Sequence, residues 1–150
     1  MTAQNFQWDP ERVGERSRPI LHEVSAEVVA AFRAAVDPAS VADPSPSTLA
    51  VRLQTLDVPG LTLPPAGVIH ASQEFLFPAG RALKVGERVR VVGWLDSVRQ
   101  RARLAIVVVV NQMTAAPRDR GDLDDRPDDT VLLVETRTTV MVTVPDGVIP

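Results

Sequence analysis

His22 and His70 are the only histidines in the chain, so acid–base work by an imidazole has two candidates. His70 heads the more suggestive set. His70, Ser72 and Glu74 alternate along an expected strand, which puts a base, a hydroxyl and a carboxylate on one face. A hydrolytic triad fails on distance: same-face neighbours on a strand sit about 7 Å apart, whereas nucleophile and base must meet at about 3 Å. No G-x-S-x-G elbow, P-loop or G-x-G-x-x-G stretch occurs, which removes the common hydrolase and nucleotide-binding signals. The chain has no cysteine, hence no thiolate nucleophile, disulfide or Cys-based zinc site, in keeping with a reducing, cytoplasmic setting. Asp37, Asp57 and Glu74 are left as carboxylates that could activate water.

The elements that would position these groups can be read from capping and period. Pro19 to Val24 is expected as a short strand, after which Ser25 stands where an N-cap belongs, ahead of a helix through Val36 with Val28, Val29, Phe32 and Val36 at helical spacing. Asp37-Pro38 closes that helix. A loop rich in Pro, Ser, Ala and Asp leads to Ser45-Pro46, an N-cap and first-turn pair that opens a second helix. Its apolar face is expected at Leu49, Leu53 and Leu56, and Pro59-Gly60 stops it, so the central helix should run from Ser45 to about Val58.

From Val68 the period changes to two. Ile69, Ala71, Gln73, Phe75 and Phe77 fall on one face, expected to meet the helix, and Val68, His70, Ser72, Glu74 and Leu76 on the other. Leu83 to Arg99, Arg101 to Met113 and Thr130 to Val144 read as three more strands rich in Val, Ile and Thr, and four strands in succession suggest an antiparallel meander. Gly93 marks a bulge or a close approach. Ahead of all this, residues 1–18 form an N-terminal arm in which Phe6 and Trp8 should tack the chain onto the domain of residues 19–150.

Charge and composition limit the function classes. The net charge of −3 is matched by the segment Arg118 to Asp129 alone, with six Asp and three Arg. The rest is balanced and shows no basic stripe for nucleic acid. The acidic segment is expected as a mobile hairpin loop over 114–129, since it has too little apolar content to bury. It lacks the ligand register and terminal Glu of a calcium loop, so no metal is expected. The longest apolar run, Leu104 to Val110, falls far short of the roughly 20 residues of a membrane helix, and residues 1–19 show no secretory signal.

One segment carries a family likeness. Glu23-Val24-Ser25 entering a short helix, a Pro-rich loop, the central helix, Ile69-His70-x-x-Gln73-Glu74-Phe75 and Leu83-x-Val85-Gly86-Glu87 occur in this order. Over roughly residues 15–145 the chain resembles the hot-dog unit at the N-terminal end of fused MaoC-like dehydratases and in the non-catalytic subunit of heterodimeric (R)-3-hydroxyacyl dehydratases. The resemblance implies an α+β, single hot-dog fold, a central helix wrapped by an antiparallel β-sheet. It implies no cofactor. Catalytic units of that family carry an aspartate and, five residues on, a histidine in the loop that ends the first helix. Here Asp37 matches the aspartate and Ala42 stands at the histidine position.

In function, the resemblance implies an acyl-thioester-binding subunit of an enoyl hydratase or 3-hydroxyacyl dehydratase, inactive alone, with acyl-CoA or acyl carrier protein thioester as ligand. It would act as a homodimer or as a heterodimer with a catalytic hot-dog subunit. Substrate binding would involve His70, Ser72, Gln73 and Phe75, with the acyl chain beside the central helix and the Ile69/Phe75/Phe77 face. Asp37 is the weak candidate for a catalytic group. Ala71, where family members usually have Gly, and Pro78 to Ala82, where they have a His-Arg-Pro-like run, depart from the pattern. The alternatives are a self-sufficient hot-dog thioesterase or hydratase with Asp37, Asp57 or Glu74 as base, or a non-enzymatic acyl-CoA-binding protein.

Overall fold

The computed structural model describes residues 5–36, 50, 53–80, 85–116 and 131–144. Asp37, Ala42, the start of the central helix and most of the acidic hairpin loop lie outside the described residues.

Regular alternation of Val with polar residues builds the centre of the sheet. The strands are β1 (Gln7–Trp8), β2 (Ile20–Glu23), β3 (Leu61–Thr62), β4 (Val68–Leu76), β5 (Arg88–Arg101), β6 (Leu104–Ala115) and β7 (Leu132–Thr143). β2, β5, β6, β7 and β4 form one sheet in that order, and β1 pairs with β3 in a second, small one. All described pairings are antiparallel. Val89, Val91 and Leu95 of β5, Val107, Val109 and Met113 of β6, and Val134, Val140 and Val142 of β7 are buried on the same face of the sheet. Each such side chain taken out of water stabilises the fold by about 2 kcal/mol.

The helix α1 (Ala26–Val36) begins as its cap dictates: the Val28 N–H donates to Ser25 Oγ at 3.1 Å, and Val29 is buried against the sheet. The second helix is described only at its end, where Ala50 and Leu53 are helical, Ala50 is fully buried and Leu53 packs beside it. It stops at Leu53, not near Val58, so Leu53 and Leu56 do not share one helical face. Leu53 packs against the cluster that contains Val89 and Met113, while Leu56 packs against the one that contains Leu95 and Val107. The reason is a clamp that the sheet places on the backbone of Thr55.

The arrangement is not a four-strand meander. β5, β6 and β7 follow one another, but β4 pairs with β7 at the far edge. The place beside β5 is taken by β2, whose Ile20 to Glu23 pair with Val91 to Arg88. The N-terminal arm extends this cover: Gly14 N–H donates to the Leu95 carbonyl and Ser17 N–H to that of Gly93, both at 2.8 Å. Phe6 is buried, Trp8 packs beside it, and the Arg16 guanidinium lies 4.8 Å from the centre of the Trp94 ring.

A bulge in β4 changes which residues face inward. His70 pairs with Val140 and Ser72 with Thr139, so Ala71 has no partner of its own. Val68 and His70 before it, and Gln73 and Phe75 after it, therefore face the helix, opposite Val142, Val140, Thr138 and Thr136. Ile69, Ser72, Glu74 and Leu76 face away. The expected faces are thus correct for Gln73 and Phe75 and reversed for Val68, Ile69 and His70. Ile69, expected along the acyl chain, is 56% exposed on the outer face.

Candidate functional site

The buried part of the sheet's inner face is apolar except for one belt. Asn111, Thr136 and Thr138 are the buried polar residues among those described. They lie in adjoining registers: Gly93 opposite Asn111, Asn111 opposite Thr136, Thr136 opposite Phe75, and Thr138 opposite Gln73. One apolar cluster, with Leu95, Val107, Val109, Val140 and Val142, lies on one side of the belt. The other, with Val89, Val91, Met113 and Val134, lies on the other side. Burying polar groups there is costly unless each finds a partner.

At the β5–β6 end both polar atoms of the amide have partners. The Thr55 N–H donates to Asn111 Oδ1 at 2.9 Å, and Asn111 Nδ2 donates to the Thr55 carbonyl at 3.1 Å. A side-chain amide thereby takes the place of a β-ladder partner for one residue and draws it off the helix. Thr55 Oγ1 accepts from the Asp57 N–H at 3.0 Å and turns the chain onward. Gly93 leaves room for this approach: a Cβ there would stand 3.0 Å from both Asn111 Oδ1 and Val58 Cγ1. The close approach expected at Gly93 is therefore present, and the bulge of β5 comes later, between Leu95 and Ser97.

At the β7–β4 end the belt is a network of side chains. Gln54 Oε1 accepts from Thr138 Oγ1 at 3.0 Å and from Thr136 Oγ1 at 3.4 Å. Gln73 Oε1 lies 3.0 Å from Thr138 Oγ1, 3.4 Å from Gln54 Nε2 and 3.2 Å from His70 Nε2. A carbonyl oxygen only accepts, so the imidazole donates from Nε2 in this arrangement. Gln73 Nε2 is buried and has no partner. Phe75 stacks on Phe77, ring centres 6.3 Å apart, and both pack against the neighbouring apolar cluster.

The structure thus brings His70, Gln73 and Phe75 together on the helix-facing side. Ser72 lies on the opposite face, and so does Glu74, paired across the ladder with Arg137. His22 faces inward opposite Val89 on β2, at the other edge of the sheet and four strands away from His70. Asp57 is exposed and lines a surface cavity of about 670 Å³ with Trp8, Asp9, Arg12 and Arg18. That cavity is built by the arm and residues 57–62, apart from the belt. Arg12 there holds Glu15 at 2.6 Å, and this hydrogen bond keeps the Glu15 carboxyl below its ordinary range.

Gln54, Asn111, Thr136 and Thr138 had no place in the sequence-based site. The last three left a signal: they interrupt the inward alternation Val107, Val109, Asn111, Met113 on β6 and Val134, Thr136, Thr138, Val140 on β7. Among the described residues no group of three His, Cys, Asp or Glu side chains is placed to hold a metal ion. None of the described helices is long and apolar enough to cross a membrane.

No family model and no curated protein matches the chain. Solved structures do. A chain of the C-terminally truncated HadBC (3R-hydroxyacyl-ACP dehydratase) complex from Mycobacterium tuberculosis is 21% identical, with a TM-score of 0.53 over 94% of this chain and 97% of that one. The MaoC-like dehydratase from Rhodospirillum rubrum is 17% identical, with a TM-score of 0.51 over 97% and 94%. A chain of the ChsH1–ChsH2 complex from Mycobacterium tuberculosis is 15% identical, with a TM-score of 0.55 over 89% and 92%. The chain therefore has the α+β hot-dog fold expected from its sequence, and its resemblance to MaoC-like dehydratases extends over the fold as a whole.

Proposed function

We propose that this chain is an acyl-thioester-binding hot-dog subunit of an enoyl hydratase or 3-hydroxyacyl dehydratase, inactive alone and completed by a catalytic partner. The observation that carries the reading is the company His70 keeps. It faces the helix, but its partner is the amide oxygen of Gln73, which cannot take up a proton as a carboxylate would. No inward position of the described strands β4 to β7 bears an Asp or Glu. The inner face can hold and orient an acyl group, and the acid–base pair must come from elsewhere.

The sheet edge supports a partner. β4 hydrogen-bonds to β7 on one side, and no described strand lies on its other side. Ser72 to Leu76 run without interruption in register, and Ile69 and Leu76 are exposed beside them at 56% and 61%. A free edge with apolar flanks is a template for pairing with another chain. Two of the structural neighbours are complexes of two named subunits, HadBC and ChsH1–ChsH2. The ligand in this reading is an acyl-CoA or acyl carrier protein thioester, held near His70, Gln73 and Phe75.

Hydration of crotonyl-CoA and of a longer enoyl-CoA, followed by loss of absorbance, tests the proposal. The chain alone is expected to be inactive, and activity should emerge on mixing with a hot-dog protein encoded beside it. Turnover by the isolated chain would overturn the reading.

A further inference from the structure

The bulge at Ala71 limits where the open edge of β4 can take another strand. Ser72 to Leu76 are its longest stretch of unbroken register, and Glu74 is their midpoint. Ser72, Glu74 and Leu76 are exposed on the outer face, whereas Gln73 and Phe75 are half-buried on the inner one. Two copies of this chain meeting there about a two-fold axis would run antiparallel, and overlap of the whole stretch would set Ser72 opposite Leu76, Gln73 opposite Phe75 and Glu74 opposite itself. Each of those pairs is mismatched: a hydroxyl on a leucine, an amide on a ring, and two carboxylates face to face. Directly opposite residues stand about 5 Å apart at Cβ, so the like charges meet. Arg137, the ladder neighbour of Glu74, does not relieve them, because its guanidinium is held by Asp96 at 2.9 Å. Moving the axis to Gln73 or to Phe75 would leave only Ser72 to Glu74 or Glu74 to Leu76 in overlap, well below the usual strand length.

We propose that Glu74 sets the choice of partner at this edge: it turns away a second copy of this chain and selects a strand of another protein that brings a Lys or Arg opposite it. The inference rests on the partnered-subunit reading above and adds what the partner must carry. The same register describes the rest of the incoming strand. Apolar residues belong opposite Leu76 and Phe75, polar ones opposite Ser72 and Gln73, with the cation between them. Glu74 thus acts twice, against the self-pair by repulsion and for the mixed pair by attraction, and the difference between the two is the specificity.

The test is association measured by sedimentation velocity at micromolar protein. The unaltered chain is expected to remain monomeric. Glu74→Lys should also remain so, with two cations now opposed, while an equimolar mixture of the two should form one-to-one dimers where neither does alone, a gain of about tenfold. Glu74→Gln, which removes the charge and keeps the shape, should self-associate about fivefold more tightly than the unaltered chain. Glu74 is exposed, so these variants should fold, and circular dichroism checks that they do. Self-association of the unaltered chain as tight as that of Glu74→Gln, or no gain on mixing it with Glu74→Lys, would overturn the proposal. The measurement uses no thioester, so a failure of the hydratase reading would leave its outcome standing.

Discussion

The two ends of the polar belt use the same kind of side chain for different ends. At Asn111 both amide atoms are consumed by the backbone of Thr55, and Gly93 is cut back to let that happen. At Gln73 the oxygen is crowded and the nitrogen idle, next to an exposed histidine. A buried amide with every partner inside the fold is structural. The difference shows that two buried amides in one belt can be held in different ways, one through both of its polar atoms and one through its oxygen alone.

Substitutions can break that contrast. Asn111→Leu should cost most, about 3 kcal/mol, because it strips the partners from both the N–H and the carbonyl of half-buried Thr55. A shift in the urea midpoint at unchanged slope would report it, and a loss below about 1 kcal/mol would show that Asn111 is no clamp. Gly93→Ala comes next, at about 2 kcal/mol, since the new Cβ meets an Asn111 side chain fixed by two hydrogen bonds and unable to give way. Gln73→Met should change stability least, by under about 1 kcal/mol, because losing the acceptor is offset by removing the orphaned donor. Thermal melting of the three variants side by side would rank them; a Gln73→Met loss equal to that of Asn111→Leu would mean that the ends do not differ in kind.

The sequence made some of this legible and hid the rest. The Ser25 cap, the strands and the anchoring role of Phe6 could be read because each is a local pattern with a local cause. The end of the second helix could not, because it is decided by Asn111, 56 residues along the chain from Thr55. Nor could the place of β4, which depends on β2 having already taken the side of β5 that β4 would otherwise occupy. The candidate site was half visible: Gln73 and Phe75 were named on the correct face, His70 on the wrong one, and the threonines opposite them were passed over as ordinary strand residues. An alternating pattern carries no trace of an extra residue, since the bulge exists only in the pairing with β7.

Ala71 makes β4 a text read in two frames. Up to His70 the even-numbered residues look inward, and from Gln73 the odd-numbered ones do. The strand is thus one residue longer than the partner it lies against. Taking Ala71 out would leave His70 and Gln73 facing the helix and merely straighten the edge between them, so this strand can lose a residue without turning over, a tolerance that strands in strict register lack.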